Sequence, residues 1–249
     1  MAKRRCAVFT LQRNEHFHLP LWIRYYGQHF DRQDMYVLDH DSDEASTLLT
    51  LMDFQDAGGN VHTRHHELTF DHAWLLDTVH AFQRLLLAEY RYVLFTDCDE
   101  WVVPSEGGLR EFIEDAAEPA YRCTGYEVIV DNQYRWQLYD KTLLSRVPLT
   151  WIPGYHFSKP EFPVNGDLLL YHLHRLDFAA AWDKLKRWRV TKVDPVAMAS
   201  GLAWQNFDLP DKEAFKRWFW NVGPSREAIE MGEAEPWDQR LVYEMDFVK

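Results

Sequence analysis

Residues 92–101, YVLFTDCDEW, decide the fold because a buried strand ends there in a cluster of acids. The first five residues are β-branched, aromatic or aliphatic, which is typical of a strand buried on both faces. Asp97, Asp99 and Glu100 then follow within four positions. Carboxylates crowded at the end of a core strand repel one another and resist desolvation, so they usually share a cation or a hydrogen-bond network. The pattern favours a divalent-metal site over the alternative, a solvated turn.

Composition limits the class of protein. The 249 residues are 47% hydrophobic, enough for one large domain or for a domain with an appendage. The formal net charge of −12 opposes binding to polyanions, so we expect no nucleic-acid partner. Three cysteines without metal-type spacing fit a reducing compartment, and we predict a cytoplasmic protein. The apolar stretch at residues 6–11 is too short for a signal peptide, and we expect no transmembrane segment, only peripheral membrane contact if any.

Apolar runs of strand length alternate with helical stripes through the first 105 residues. Residues 6–11 and 35–38 predict two strands, each followed by a polar turn, and residues 61–64 could form a third. Helical periodicity lies between them and is clearest from about residue 71 to residue 90. This alternation predicts an α/β fold whose mostly parallel sheet is covered by helices on both faces. The polar turns then share the carboxyl edge of the sheet, where open α/β sheets bind ligands.

The pattern changes after Pro104. A short helix near residues 109–113 and strands within residues 121–130 and 141–151 indicate a mixed or antiparallel second half. From Asp177 onward, helical stripes return, and the first of these helices carries basic residues opposite its apolar stripe. We interpret that basic face as solvated, with contact to an anionic acceptor as the alternative. Its members are Lys184, Lys186, Arg187 and Arg189.

Two acidic turns carry the candidate chemistry. Asp97-x-Asp99 can place oxygens on a divalent cation that keeps open positions for substrate oxygens, as Mg²⁺ and Mn²⁺ do with nucleotide diphosphates. Asp39 is the first polar residue after the second predicted strand and could accept a hydrogen bond from a ligand donor such as a base N–H. Residues 41–44 would then cap the next helix, and helix capping alone is the alternative for them.

Three motifs, in their order and spacing, resemble the family 2 glycosyltransferases. They are TLQRNE at residues 10–15, VLDHDS at residues 37–42 and LFTDCDEW at residues 94–101. The best match is the subgroup that pairs an early Asn-Glu with a later D-x-D-E-[FW]. The resemblance covers about the first 105 residues and continues more loosely to residues 171–174. It implies a GT-A fold with a Rossmann-like nucleotide-binding half, a nucleotide-sugar donor (UDP-sugar favoured), Mn²⁺ or Mg²⁺, and a glycan or other hydroxyl-bearing acceptor.

The resemblance also assigns roles by position. Asn14 and Glu15 would line the nucleotide pocket, and Asp39 would contact the base, most often uracil. Asp97 would lie beside the ribose or the metal, and Asp99 would be the principal metal ligand. The sequence departs from the family after Asp43, where Glu, Ala and Ser stand in place of the usual Gly and Thr, so the details of base recognition do not carry over.

Further candidates are Arg13 and several residues from the second half of the chain. His172 would complete the metal shell, with His156 as the runner-up. Arg13, like Lys159 and Arg175, could meet the diphosphate, although a surface cation is the alternative for each.

An inverting transferase needs a carboxylate that takes the acceptor's proton. Asp131 is our candidate for this base ahead of Glu127 and Asp167, and a structural role is the favoured alternative for each of the three. Glu100 would support the metal shell or the acceptor side, and Trp101 would pack in the core.

We therefore divide the chain into a GT-A catalytic domain, residues 1–175, and a helical C-terminal appendage, residues 176–249. Within the domain, residues 1–105 would bind the nucleotide-sugar and residues 106–175 would face the acceptor. The main alternative is a non-catalytic GT-A-like module that binds carbohydrate or nucleotide. A phosphatase of the haloacid dehalogenase type also uses D-x-D, but its nucleophilic Asp follows the first strand, where this chain has no acid pair.

Overall fold

The computed structural model of the protein describes residues 3–129, 132–135, 139–189, 192–199, 209 and 211–220, with only the backbone of residues 132–135 and 197. The first half alternates strands and helices as predicted. Its strands are β1 (Arg4–Gln12), β2 (Met35–Asp39), β3 (Asn60–Thr63) and β4 (Tyr90–Phe95). Its helices are α1 (His18–His29), α2 (Ala45–Asp56) and α3 (His72–Glu89), with a 3-10 turn at Arg32–Asp34.

The second half is mixed, again as predicted. Its strands are β5 (Glu100–Pro104), β6 (Ala120–Ile129), β7 (Asn132–Arg135), β8 (Thr142–Ser145), β9 (Thr150–Trp151), β10 (Ser158–Lys159) and β11 (Val164–Arg175). Its helices are α4 (Leu109–Asp115), α5 (Phe178–Arg189), α6 (Pro195–Ala199) and α7 (Lys212–Trp220). The run at residues 141–151 is split into β8 and β9, because Pro148 has no N–H to donate to a ladder.

The described strands form a nine-stranded sheet in the order β3-β2-β1-β4-β8-β6-β11-β5, with β7 paired to β6, and a separate β9-β10 ribbon. The four strands from β3 to β4 are parallel. Beyond β4 the pairing is antiparallel, except between β6 and β11. The α/β class, with a parallel first half and a mixed second half, is therefore confirmed.

Register brings the ends of the first strands together. Gln12 pairs with Asp39 at the ends of β1 and β2, and the N–H of His40 donates to the carbonyl of Gln12 at 2.7 Å. The N–H of Thr96 donates to the carbonyl of Phe9 at 3.1 Å, which holds the end of β4 against β1. The turns after β1, β2 and β4 consequently meet at one edge of the sheet.

Apolar side chains cover both faces of the sheet. On one face, α1 contributes Trp22 and Tyr26 to a cluster with strand residues such as Val8 and Leu94. On the other face, the predicted stripe of α3, including Phe82, packs on Phe9, Phe95 and their neighbours. The strands are thus buried on both sides, which explains why they are near-continuous apolar runs in the sequence.

Helix α5 follows β11 and packs against it with α7. Ala181 and Leu185 of α5, Phe215 and Phe219 of α7 and Ile129 of β6 form a third apolar cluster. The division into residues 1–175 and 176–249 stays a prediction. Within the described part of the chain, no helix combines the length and the hydropathy that crossing a membrane requires.

Candidate active site

A cavity of about 760 Å³ opens at the carboxyl edge of the parallel strands. Its walls are the turns after β1, β2 and β4, together with β11 and α5. Ligand sites of α/β sheets are expected at this edge. Five carboxylates line the cavity: Glu15, Asp43, Glu44, Asp97 and Asp99. Five cationic side chains line it as well: Arg13, Lys141, Arg175, Lys184 and Arg187. Charged side chains of both signs are therefore concentrated here, in equal number, although the whole chain has a net charge of −12.

Asn14 joins the turns after β1 and β2. Its backbone is left-handed, with φ of 54°, a conformation that Asn tolerates better than most residues. Its side-chain oxygen accepts from the backbone N–H groups of Asp43 at 3.0 Å and Glu44 at 3.1 Å. Its amide also donates to the Asp43 carboxylate at 2.6 Å. Asn14 lines the cavity, and its polar atoms already hold the start of α2 in place.

Asp39 lies beneath the same turn. One carboxylate oxygen accepts from the Gln12 amide at 2.6 Å and the Ser42 hydroxyl at 2.5 Å, and the other accepts from the Ser42 N–H at 3.2 Å. Burial raises the pKa of Asp39 above its ordinary value, although the bonds from Ser42 oppose this. Both oxygens thus have partners within the protein. The contact between Asp39 and a base stays a prediction.

Asp97 and Glu100 share a buried lysine. The Nζ of Lys141 lies 2.5 Å from Oε1 of Glu100 and 3.4 Å from Oδ2 of Asp97. Glu100 is fully buried, and its other oxygen accepts from the N–H of Asp97 at 3.1 Å. Partial burial and the neighbouring Glu100 carboxylate raise the pKa of Asp97 to about 7. The structure therefore places Glu100 behind the turn that presents Asp97 to the cavity.

Asp99 faces a different lysine, Lys184 of α5. The Nζ of Lys184 lies 3.0 Å from Oδ2 of Asp99 and 2.8 Å from Oε1 of Glu15. Burial alone would raise the pKa of both acids, but Lys184 together with neighbouring histidines more than offsets burial, leaving the pKa of Asp99 below its ordinary value and that of Glu15 at about 2. His18 also contacts Glu15, with 3.1 Å between Nδ1 and Oε2. The interpretation of Lys184 as part of a solvated face is therefore wrong.

β11 brings two imidazoles to Asp99. His172 Nε2 lies 4.0 Å from Oδ1 of Asp99, and His174 Nδ1 lies 3.4 Å from Oδ2. The other ring nitrogen of His172 lies 2.8 Å from the buried Glu127 carboxylate. Burial lowers the pKa of His172, but Glu127 outweighs this effect and leaves it above the ordinary value. Burial lowers the pKa of His174 to about 4. Glu127 thus orients His172 toward the cavity, and sequence reasoning treated it only as a possible base.

The residues around Asp99 do not fit a divalent metal site. Within the described ranges, no group of three or more His, Cys, Asp or Glu side chains could hold a metal ion. The carboxylates of Asp97 and Asp99 each face a lysine ammonium. Metal ligands must offer free lone pairs to a compact ion. Here a lysine meets each carboxylate of the D-x-D pair.

The turn after β2 forms another part of the cavity wall. The ring of His40 lies 4.4 Å from that of Trp74, between centroids, and His40 is 2% exposed. Burial lowers the pKa of His40 to about 4. Arg13 donates to the carbonyl of His40 at 2.9 Å, so it holds this turn while lining the cavity. Phe70 and Trp188 also line the wall, and no motif in the sequence singled them out.

The remaining candidates are dispersed. His156 and Arg175 line the cavity, whereas Lys159 pairs with Thr150 in the β9-β10 ribbon. Asp131, the candidate base, lies outside the described residues. The assignment of Asp131 stays a prediction.

Comparison with known proteins gives distant likenesses only. No family model and no curated protein matches the sequence. The bifunctional glycosyltransferase WbbM is 15% identical over 53% of this chain and 24% of its own, with a TM-score of 0.33. TarS of S. aureus in complex with UDP is 14% identical over 73% and 49%, with a TM-score of 0.39. A Bacillus anthracis protein described as a glucose-1-phosphate thymidylyltransferase, in complex with sucrose, is 10% identical over 88% and 84%, with a TM-score of 0.35. The match spans less than half of the WbbM and TarS chains.

Proposed function

We propose that this protein is a glycosyltransferase that moves a sugar from a nucleotide diphosphate donor, UDP-sugar favoured, to a hydroxyl of a glycan or another acceptor. The observation that carries the proposal is the cavity at the carboxyl edge of the sheet, where five cationic side chains balance five carboxylates in a chain of net charge −12. A diphosphate is the ligand chemistry that such cations recognise. The three motifs of the resemblance supply the turns that line this cavity.

The proposed reaction is a sugar transfer with inversion, in which residues lining the cavity take part. The acceptor oxygen attacks the anomeric carbon with inversion, the bond from that carbon to the donor's phosphate oxygen breaks, and the nucleoside diphosphate leaves. A carboxylate takes the acceptor's proton; Asp131 remains our candidate. Arg13, Lys184 and Arg187 would oppose the negative charge that grows on the leaving diphosphate. The resemblance also implies Mn²⁺ or Mg²⁺, but the described residues do not fit it, and no step here uses a metal.

Nucleotide binding tests the donor class. Thermal unfolding would be measured with UDP, GDP, dTDP and CMP, each in EDTA and in Mn²⁺, with uridine as the control that lacks phosphate. At about 100 times its Kd, a ligand adds about 2.7 kcal/mol of stability, which raises Tm by roughly 5–10 °C in a chain of this size. We expect UDP to give the largest rise and uridine little. The proposal fails if no nucleotide diphosphate raises Tm.

A second function is favoured by one observation, the lysines that already neutralise Asp97 and Asp99. A binding module without chemistry could retain such ion pairs. Donor hydrolysis separates the two functions: a transferase releases UDP slowly from its UDP-sugar even without an acceptor, whereas a module that binds UDP releases none from any donor.

A further inference from the structure

The cationic group nearest to Asp99 comes from the C-terminal helices, not from the nucleotide-binding half. Lys184 of α5 lines the cavity, and its side chain is only 13% exposed. Its ammonium bridges Asp99, which follows β4, and Glu15, which follows β1, at 3.0 and 2.8 Å. One positive charge thus joins the two acids that the resemblance assigns to the metal and to the nucleotide.

We infer that Lys184 is the resident cation of this site, held by Asp99 and Glu15 in place of a divalent metal, and that it binds the donor's diphosphate. The second part of the inference rests on the proposed function, and the first part does not. A protein built in this way binds its nucleotide without Mn²⁺ or Mg²⁺.

Distances support the substitution. A metal ion on Asp99 would sit about 2.1 Å from a carboxylate oxygen. Because Lys184 Nζ is 3.0 Å from Oδ2, a metal on that oxygen would lie within about 5 Å of the ammonium. Two positive charges at this short distance repel each other strongly when the site is poorly solvated. A metal on this oxygen is therefore disfavoured while Lys184 stays in place.

The helix that carries Lys184 is fixed in the fold. Ala181 and Leu185, on either side of it along the same stripe, are buried in the cluster that includes Ile129 and Phe215. The N–H of Ala180 donates to the Asp177 carboxylate at 2.8 Å, which caps the start of α5. The backbone at Lys184 is thus held against the sheet, and only its side chain is free to change its contacts.

Lys184 has two acidic partners. The carboxylates of Asp99 and Glu15 both lie within 3.0 Å of its ammonium. The other acid of the D-x-D pair has its own cation, because Asp97 lies 3.4 Å from Lys141. Arg187 adds a further cation on the cavity side of α5, where its Nε lies 3.3 Å from Oε1 of Glu44. Lysine and arginine side chains, each paired with carboxylates, therefore line the part of the cavity where a diphosphate would bind.

Manganese binding tests the substitution without any nucleotide. The electron paramagnetic resonance signal of free Mn²⁺ would be followed as Mn²⁺ is titrated into the wild-type protein, Lys184→Met and Lys186→Met. Lys186 is the matched control, because it lies on the same helix, pairs with Asp183 and is about half exposed. We expect no specific Mn²⁺ binding by the wild type or by Lys186→Met. In Lys184→Met we expect one Mn²⁺, held by water and by the two carboxylates that the lysine joined, Asp99 and Glu15.

Two results overturn the substitution. One is a stoichiometric Mn²⁺ site in the wild type that Asp99→Asn removes. The other is a folded Lys184→Met protein that binds no Mn²⁺, which would mean that the lysine does not stand in place of a metal. If Lys184→Met does not fold, the wild-type titration still decides the question.

Titration calorimetry with UDP in EDTA tests the diphosphate contact. A charged hydrogen bond is worth about 1.5–3 kcal/mol, so we expect Lys184→Met to weaken UDP binding about tenfold or more. Lys184→Arg should keep most of the affinity and Lys186→Met all of it. Equal affinity in Lys184→Met and the wild type overturns this part. If the wild type binds no nucleotide at all, the proposed function fails, whereas the Mn²⁺ titration still stands by itself.

Discussion

Lys141 and Glu100 form a buried ion pair, with 2.5 Å between Nζ and Oε1, directly behind the turn that presents Asp97. Glu100 uses its second oxygen to accept from the N–H of Asp97, so the pair also fixes the backbone of that turn. The acids at the end of β4 thus survive burial because two lysines from distant parts of the chain neutralise them: Lys141 meets Asp97 and Glu100, and Lys184 meets Asp99. Lysine side chains thus place a positive charge beside each acid of this cluster.

Removing Lys141 alone should lower the free energy of unfolding more than removing the charges of both Lys141 and Glu100. Lys141→Met leaves Glu100 charged and buried, and breaking a buried pair in this way costs about 3–5 kcal/mol. The double variant Lys141→Met with Glu100→Gln leaves no uncompensated charge, so we expect it to recover part of that loss. Urea denaturation of the single and double variants measures the coupling. Additive losses would show that the two groups are not coupled.

The stability of the protein should fall in mild acid because of His40. Its pKa is lowered to about 4 in the folded protein, against about 6.5 in the unfolded chain. A lowered pKa gives stability that is fully present above pH 6.5 and is lost as pH falls from 6.5 toward 4. His40→Phe keeps a ring against Trp74 but takes up no proton. We expect the variant to lose less stability over this range, by on the order of 3 kcal/mol.

Urea denaturation of both proteins at pH 7.5 and pH 4.5 measures this difference. The values at pH 7.5 correct for repacking around the new ring. Parallel pH profiles for the two proteins would mean that His40 is not held neutral by burial.

Much of the fold is predictable from the sequence because a strand buried on both faces needs a continuous apolar run, as at Val93 and Leu94. The meeting of the turns after β1, β2 and β4 is also predictable, because parallel strands place their carboxyl ends at one edge of the sheet. The contact between Lys184 and Asp99 is not predictable from the sequence, because it joins residues 85 positions apart. Lys184 follows Ala181 by three positions and precedes Leu185, so it lies on the buried stripe of α5. This position was the one indication in the sequence that Lys184 would be buried.

Other site residues are hidden for a different reason. Glu127 lies within a strand that is buried on both faces, and only the pairing of β6 with β11 places it opposite His172. A charged residue inside an apolar run gives no indication of its partner, because strand pairing is decided by the whole sheet. Asp39 shows the converse: its position after β2 is predictable, but its bonds to Gln12 and Ser42 depend on the register of β1.

Trp101 should contribute to stability mainly through packing. It is 2% exposed and stacks on Tyr25 with 4.6 Å between ring centroids, and its indole N–H has no hydrogen-bond partner among the described residues. Trp101→Ala should cost about 3–5 kcal/mol, whereas Trp101→Phe, which keeps an aromatic ring, should cost less. The matched control is Trp220→Ala, since Trp220 is 54% exposed. Equal losses for Trp101→Ala and Trp220→Ala in urea denaturation would contradict this account.

Asn14 should prefer glycine to alanine as its replacement. Both substitutions remove the side-chain oxygen that accepts from the N–H groups of Asp43 and Glu44, a loss of about 1 kcal/mol. Alanine adds the strain of a left-handed backbone at φ of 54°, about 1–2 kcal/mol, which glycine avoids. We therefore expect Asn14→Gly to be more stable than Asn14→Ala by at least about 1 kcal/mol in urea denaturation.

The opposite order should hold at Gln28, an exposed residue within α1. There glycine costs about 1 kcal/mol more than alanine, because it loses more backbone freedom on forming a helix. If the same pair of substitutions reverses its order between residues 14 and 28, the preference at residue 14 comes from the backbone conformation. If alanine is the better replacement at both positions, the left-handed turn is not a constraint, and Asn14 is retained for its side-chain bonds alone.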